Sequence, residues 1–176
     1  PHKNHIGLLR ALAWLRTRKR TTVPLVCTGA LNGHFPAIKA EIRRLDLERQ
    51  VHFLGYVSPA VLKVLLLNAR CMVVPSRFEA GSFPLMEAFS TGIPSATSNV
   101  TSLPAQVGDA ALLFSPDDVP GMAMAVHRLW TDEKLRALLA GRALELAAER
   151  TWMKTARGYH NLYRQAAEAP ASGGAR

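Results

Sequence analysis

The sequence has few cysteines and no long apolar run, and both shortages exclude classes of protein. Two cysteines in 176 residues, Cys27 and Cys71, are too few for a disulfide framework. Both lie in apolar runs, where cysteine acts as a small buried hydrophobe. No run approaches the roughly 18 consecutive apolar residues of a membrane-spanning helix. With 48% hydrophobic and 20% charged residues, the chain has the composition of a globular domain and the length for one full core.

Several motifs of nucleotide binding and catalysis are also absent. No G-x-G-x-x-G follows a strand-like run and there is no Walker lysine loop, which disfavours dinucleotide oxidoreductases and P-loop NTPases. No serine lies in a nucleophile elbow. Among six histidines, only His2 and His5 are close enough in sequence to suggest shared ligation, and that pair is more simply incidental. The sequence therefore predicts no metal site.

Acidic residues are scarce relative to basic ones. The net charge of +9 favours anionic partners such as nucleotides, lipid head groups or nucleic acid. The densest basic cluster, 16–20, ends a predicted helix, where cations complement the helix dipole. No recognition motif supports nucleic-acid binding, so we expect none. We recognise no secretory leader in these residues and expect a cytoplasmic protein, with peripheral attachment to an anionic membrane surface as an open alternative.

Strand-like and helix-like segments alternate along the chain. The predicted strands are 24–29, 51–56, 71–75, 93–98 and 111–114. The predicted helices are 6–16, 35–45, 59–69, 85–91, 118–130, 132–150 and one that starts at Thr151, with a loop at 99–109. Alternation of this kind predicts an α/β fold with a parallel sheet covered by helices on both faces. In the last helix, the stripe of Trp152, Tyr159 and Tyr163 predicts a seam against the body of the domain.

The most informative feature is a pair of glutamates, Glu79 and Glu87, that bracket a loop of small residues. The loop follows a predicted strand, and ligands bind at the carboxyl ends of strands in such folds. Its backbone N–H groups and the next helix N-terminus can bind phosphate oxygens. The carboxylates can accept hydrogen bonds from sugar hydroxyls. This arrangement suits a polyhydroxylated phosphate ester.

The run 75–88 resembles the retaining, nucleotide-sugar-dependent glycosyltransferases of GT-B fold that share the "glycosyl transferases group 1" domain. The similarity continues through 92–94, 98–104 and 107–114, and earlier through 3–12 and 51–56. It implies a Rossmann-like sheet that forms the C-terminal, donor-binding half of a GT-B protein. By this resemblance, residues 1–150 form the donor-binding domain and 151–168 a crossover helix. Residues 169–176, small and polar, are expected to be a disordered tail.

The resemblance also implies roles for the candidate residues. Lys3 would neutralise the leaving diphosphate and Glu79 would bind hydroxyls of the donor sugar, which makes them the catalytic candidates. Glu87 would bind the ribose hydroxyls. Gly55 and Tyr56 lie where the family places the nucleobase, and backbone N–H groups of the loop face the diphosphate and sugar. The donor-binding candidates besides Glu87 are Gly55, Tyr56, Ser76, Ala80, Gly81, Ser82 and Phe83. The nucleotide-sugar is a substrate, and the family implies no metal or other cofactor.

Two departures from the family pattern concern the loop and its neighbour. The family commonly has the loop sequence Glu-Gly-Phe-Gly-Leu-Pro. This chain has Glu-Ala-Gly-Ser-Phe-Pro at 79–84, so its glycine occupies a different position in the loop. If Ala80 replaces a residue of positive φ, the loop is strained or differently shaped. Ala105 also lies where a glutamate commonly follows the proline.

The largest departure concerns sequence that the family places ahead of Pro1. The first strand, a partner arginine and the N-terminal acceptor domain would all precede it. Because that strand is central in a doubly wound sheet, we expect the second and fourth strands to be unpaired along one edge each. We therefore expect a fragment that is inactive alone and less stable than an intact domain. Two alternatives remain open: a non-catalytic remnant that binds nucleotide at most, and a nucleotide-sugar epimerase of similar fold.

Overall fold

The structure is a computed structural model, and it describes residues 2–168. The predicted tail 169–176 lies outside the described residues. The helices are α1 (His5–Lys19), α2 (Phe35–Arg44), α3 (Pro59–Asn68), α4 (Phe83–Ser90), α5 (Leu103–Val107), α6 (Val119–Thr131), α7 (Glu133–Glu149) and α8 (Trp152–Glu168). The strands are β1 (Leu25–Cys27), β2 (Val51–Phe53), β3 (Met72–Val74), β4 (Ser95–Ser98) and β5 (Ala111–Phe114).

Every predicted strand and helix is present, with bounds that differ by a few residues. The predicted loop at 99–109 is wrong in one respect, because it contains the short helix α5. Leu103 and Val107 lie one helical turn apart and are both fully buried. Pro104 occupies the first turn, where its missing N–H costs no hydrogen bond. With only five residues, α5 is too short for periodicity alone to reveal it.

The strands form two parallel sheets. One pairs β1 with β2, and the other has the order β3-β4-β5. Consecutive residues of β3 contribute to opposite cores, since side chains alternate across a sheet. Val73 packs against the core that α1, α2 and α6 share, whereas Val74 lies in the core formed with α4 and α5. The α/β fold with parallel sheets and helices on both sides is confirmed.

Helix α1 is buried on most sides, as its nearly continuous apolar sequence predicts. Leu9, Leu12 and Leu15 are at most 1% exposed. A buried carboxylate on α2, Glu41, accepts hydrogen bonds at 2.7 Å from the guanidinium groups of Arg10 and Arg44. The Arg44 hydrogen bond, opposed by burial and reinforced by Arg10, lowers the pKa of Glu41 to about 2. This cluster ties α1 to α2.

A cavity of about 950 Å³, here called the slot, separates the two sheets. Strands β1 and β3 both line it, and within residues 2–168 each pairs along one edge only. Helix α3 also lines the slot but buries none of its residues, and its Val64 and Leu67 are about 60% exposed. The unpaired edges match the expectation for the second and fourth strands of the sheet.

Both cysteines line the slot and are free thiols. Burial raises the pKa of the Cys27 thiol to about 11, and burial has the same effect on Cys71. Each is half-buried, so the predicted small buried hydrophobes lie at the margin of the core and not inside it.

The predicted seam on α8 is wrong as far as the described residues are concerned. No residue of α8 is buried, and Trp152, Tyr159 and Tyr163 are 57–76% exposed. The Trp152 ring stacks on Phe83 at 6.3 Å between centroids. The periodic apolar stripe correctly indicates an amphipathic helix, but it does not reveal which surface covers that stripe.

None of the helices described is both long enough and apolar enough to cross a membrane.

A parallel strand supplied ahead of Pro1 should fill the slot. The carbonyl oxygen of His2 accepts a 2.7 Å hydrogen bond from the Arg77 N–H, just beyond the carboxyl end of β3. A segment that runs through the slot parallel to β1 and β3 would therefore arrive at His2. We expect an extension of about five alternating valines and isoleucines to raise the free energy of unfolding by about 2 kcal/mol, since apolar burial outweighs the ordering cost.

Urea unfolding measures this gain, and amide hydrogen exchange locates it. Exchange should slow at β1 and β3 and remain unchanged in α7. The matched control is an extension of equal length with alternating prolines, which cannot donate hydrogen bonds to strand edges. Equal stabilisation by both extensions would contradict strand insertion.

Candidate functional site

The candidate site lies at the carboxyl ends of the parallel strands, where the slot opens. Ser76 follows β3 directly, and its hydroxyl donates a 2.8 Å hydrogen bond to Glu79 Oε1. The Lys3 ammonium approaches the same oxygen at 2.5 Å. Lys3, which is 76 positions away from Glu79 in sequence, therefore joins Ser76 and Glu79 in one cluster of a lysine, a hydroxyl and a carboxylate.

Local backbone conformation places Lys3 at this edge. Asn4 has a left-handed conformation, with φ of 52°, and turns the chain into α1. Its side chain is buried and donates a 3.0 Å hydrogen bond to the Pro116 carbonyl. A Cβ atom at Gly7 would lie 2.6 Å from the Asn4 side chain and would displace it from this position. Lys3 is thus held by a turn that Asn4 and Gly7 define together.

The Glu79 carboxyl is buried and ionised. Burial acts to raise its pKa, but hydrogen bonds from Lys3 and Ser76 outweigh burial, and the pKa is lowered from its ordinary value. The Glu79 side chain is 9% exposed, whereas that of Lys3 is 48% exposed. A charged acceptor inside the cleft therefore sits beside a partly solvated cation at its mouth.

Basic groups surround the mouth of the slot. His2, Lys3, His5 and His34 all line it. Burial lowers the pKa of His5, and the positive charges around it, among them His34 and Lys3, lower it further. The lowered pKa disfavours a positive charge on His5, so the preference of this mouth for negatively charged ligands depends on Lys3 more than on His5. His34 carries no sequence signal that would have found it.

The second acid also reaches the slot. Helix α4 begins at Phe83, two residues earlier than the pattern predicts, so Glu87 lies one turn inside the helix. It is exposed and lines the slot together with Ser82. The structure therefore brings five sequence candidates to one cavity: Lys3, Ser76, Glu79, Ser82 and Glu87.

The remaining candidates lie outside that lining. Gly55 accepts a 2.8 Å hydrogen bond from the Gly29 N–H where β1 and β2 end, and Tyr56 is 85% exposed. Ala80 and Gly81 are exposed on the loop, and Phe83 stacks on Trp152. The roles proposed for these residues stay predictions.

The loop is not strained at the expected position. Neither Ala80 nor Gly81 has a positive φ, so alanine fits its backbone without cost. The unusual conformation lies instead at Thr101, on the segment after β4, with φ of 48°. Its side chain contacts the Glu79 backbone, a contact that the sequence does not indicate.

Within residues 2–168 there is no group of three or more histidine, cysteine, aspartate or glutamate side chains that could hold a metal ion.

The fold and the site together define a Rossmann-like domain with a polar cleft at the edge of its sheet. The model of the family described as "Glycosyl transferases group 1" matches residues 1–145. The chain therefore belongs to this family.

A relative and two solved structures agree with this assignment. The chain is 34% identical to an O-antigen chain mannosyltransferase B from Escherichia coli over 93% of its own length and 43% of that protein. Sucrose-phosphate synthase from Thermosynechococcus elongatus superposes with a TM-score of 0.83 at 25% identity, over 96% of this chain and 43% of that one. The Anabaena protein HepE, solved in complex with UDP, superposes with a TM-score of 0.80 at 23% identity, over 93% and 46%. These solved structures are GT-B glycosyltransferases. The chain spans less than half of each.

Removal of the Lys3 charge should raise the pKa of Glu79. In Lys3→Met, burial remains while the ammonium hydrogen bond is lost, so the carboxyl should titrate closer to or above its ordinary range. Since the wild-type pKa is lowered on folding, the pair contributes stability above the unfolded pKa and loses it as pH falls through the folded value. The variant should lose part of that pH dependence.

Carbon-detected NMR titration of the glutamate carboxyls measures the shift. Glu41 is an internal control, because its pKa of about 2 depends on Arg10 and Arg44. Lys19→Met, at the far end of α1, is the matched variant. An unchanged Glu79 titration in Lys3→Met would show that the ion pair does not form in solution.

Proposed function

We propose that this chain is the donor-binding half of a retaining glycosyltransferase, which moves a sugar from a nucleotide-sugar to a glycan, lipid or small-molecule acceptor. The observation that carries the proposal is the Lys3, Ser76 and Glu79 cluster, with Glu87 in the same cavity. The cluster offers a cation for phosphate and a charged acceptor for hydroxyls at the carboxyl edge of a parallel sheet.

The ion pair leaves both partners able to bind substrate. Lys3 and Ser76 both contact Oε1 of Glu79, and Oε2 is available to accept a hydrogen bond from a sugar hydroxyl. Lys3 has further N–H groups for phosphate oxygens. Since the carboxylate is already desolvated and paired, little reorganisation is needed when a sugar binds.

The positive charges of the site can stabilise the leaving group during sugar transfer. Cleavage of the bond between the sugar and the diphosphate builds negative charge on the leaving group. Lys3 stabilises that charge where it develops, and the N-terminus of α4 adds its partial positive charge. The acceptor oxygen bonds to the sugar carbon on the same face from which the diphosphate leaves, and the leaving phosphate takes up the acceptor proton. In this proposal the reaction needs no bound metal.

The nucleoside end of the donor is assigned to the other acid. Glu87 lies one turn into α4 and is exposed to the slot, where it can accept two hydrogen bonds from a ribose. Gly55 and Tyr56, at the end of β2, are assigned to the nucleobase. HepE, which shares the fold, was solved with UDP, so a uridine nucleotide is the first to test.

The acceptor side of the cleft is assigned to sequence outside the 176 residues. The chain spans 43% of the E. coli relative. The exposed aromatic residues of α8 provide an apolar face that suits contact with a second domain. We further infer a cytoplasmic location, for which two free thiols suit a reducing compartment. The net charge of +9 suits peripheral contact with an anionic membrane.

Calorimetry with UDP, GDP and ADP tests the donor site. We expect one of them to bind, and Glu87→Ala to weaken it roughly tenfold to 100-fold, because hydrogen bonds to a charged group are lost. Glu145→Ala, which changes an exposed glutamate near the C-terminal end of α7, is the matched control and should bind like the wild type. Failure of the wild type to bind any of the three would favour the non-catalytic remnant.

Sugar transfer by the purified chain tests the assignment of the acceptor side. We expect nucleotide binding without transfer to added acceptors, since the proposal assigns the acceptor wall of the cleft to residues outside this chain. The measurement is release of nucleoside diphosphate from its sugar conjugate with and without acceptor. Acceptor-dependent turnover by the 176-residue chain would overturn the idea that it is only the donor half.

A further inference from the structure

The segment after β4 contacts the backbone of the glutamate loop through three side chains, here called the clamp: Thr101, Ser102 and Gln106. Thr101 Oγ1 accepts a 3.1 Å hydrogen bond from the Glu79 N–H and donates a 2.6 Å hydrogen bond to the Glu79 carbonyl. Ser102 Oγ donates to the same carbonyl at 2.8 Å. Both backbone polar groups of Glu79 are therefore satisfied by side chains of one neighbouring segment.

Gln106 does the same at the other end of the loop. Its Oε1 accepts a hydrogen bond from the Ser82 N–H, and its Nε2 donates to the Ser82 carbonyl, both at 2.9 Å. A side-chain amide matches a backbone N–H and C=O in this way because it carries one acceptor and one donor side by side. Glu79 and Ser82 are buried, while Ala80 and Gly81 between them are exposed. The clamp thus fixes the two ends of the loop.

The conformation of Thr101 is unfavourable by itself. Its φ of 48° lies in the left-handed region, which a β-branched residue rarely adopts. Strain of this kind persists only where the surrounding contacts enforce it, and it concentrates at functional sites. At Thr101, the contacts that accompany the strained conformation are its two hydrogen bonds to the Glu79 backbone. A glycine would adopt this backbone without strain but would have no hydroxyl.

The clamp is itself anchored in the fold. Leu103 and Val107 of α5, which directly follow Ser102 and Gln106, are fully buried. Arg150, at the end of α7, donates hydrogen bonds to the carbonyls of Ala105, at 3.0 Å, and Gln106. Held by core packing on one side and by α7 on the other, the clamp can act as a rigid support.

We propose that Thr101 and Gln106 are positioning residues that set the sugar-facing geometry of the loop. This inference rests on the proposed function. The clamp holds the backbone of Glu79, and Lys3 and Ser76 hold its carboxylate. Contacts at both the backbone and the side chain therefore fix the direction of this carboxylate, which is proposed to accept hydrogen bonds from the sugar. Glu87, proposed to bind the ribose, lies on α4 and has no clamp contact. Loss of the clamp should therefore weaken recognition of the sugar more than recognition of the nucleotide.

Four variants test this selectivity. Thr101→Gly removes the hydroxyl and relieves the strain, whereas Thr101→Ser retains the hydroxyl and is its matched control. Gln106→Leu removes both amide contacts at similar size, and Gln165→Leu, on the exposed α8, is its control. Calorimetry compares UDP with UDP-glucose and GDP with GDP-mannose. Thr101→Gly and Gln106→Leu should lower the affinity for the sugar conjugate relative to the free nucleotide roughly tenfold, and the two controls should not.

A second readout does not depend on any ligand. Amide hydrogen exchange by NMR should be at least about tenfold faster at Glu79 in Thr101→Gly and at Ser82 in Gln106→Leu, because each amide loses its acceptor. Amides of α1 should exchange as in the wild type. A merely structural role would instead lower stability throughout the molecule and leave the ratio of affinities unchanged.

The outcomes separate this inference from the proposed function. If the wild type binds no nucleotide, the proposed function fails, and the exchange rates still decide whether the clamp holds the loop. If nucleotides bind but the sugar-to-nucleotide ratio is unchanged in both variants, the positioning role is overturned even when exchange is faster. Unchanged exchange at both amides would overturn the clamp itself.

Discussion

A buried carboxylate must be paired, and much of the site depends on how Glu79 meets that requirement. An isolated charge in this position would be costly or would become protonated. Lys3 and Ser76 supply the pairing, and Lys3 can do so only because the Asn4 turn holds it at the edge of the sheet. The same contact joins the segment before α1 to the loop after β3. The ion pair between Lys3 and Glu79 thus keeps the acid charged, fixes the position of the lysine and connects the two segments at the mouth of the slot.

The domain retains features that do not favour its own stability. Two strand edges face a cavity, α3 exposes apolar side chains, and Thr101 holds an unfavourable backbone conformation. The first two features leave strand edges and apolar side chains without cover from the described residues. The third accompanies hydrogen bonds to the glutamate loop. These features lie around the slot and the loop, whereas the cores under α1 and α4 are closely packed.

Sequence patterns were most informative where periodicity and burial coincide. Helix α1 and strands β3 and β5 are apolar enough that their type follows from composition, although Leu113 in β5 is 44% exposed. The pattern was least informative for α5, which is short, and for α8, whose apolar stripe stays exposed apart from the stacking of Trp152 on Phe83. An amphipathic pattern indicates that the apolar face of a helix packs against another surface. It does not indicate which surface that is.

The α/β architecture, the loop between the two acids and the family could all be read from the sequence, because they depend on local order along the chain. Which candidates share a cavity depended on the tertiary structure. It brought Lys3 to Glu79 across 76 positions and left Tyr56 outside the lining. It also showed that the strained backbone conformation is at Thr101 and not at Ala80, and that Gln106 supports the loop. Contacts of this kind depend on how distant segments pack, and no local pattern encodes that packing.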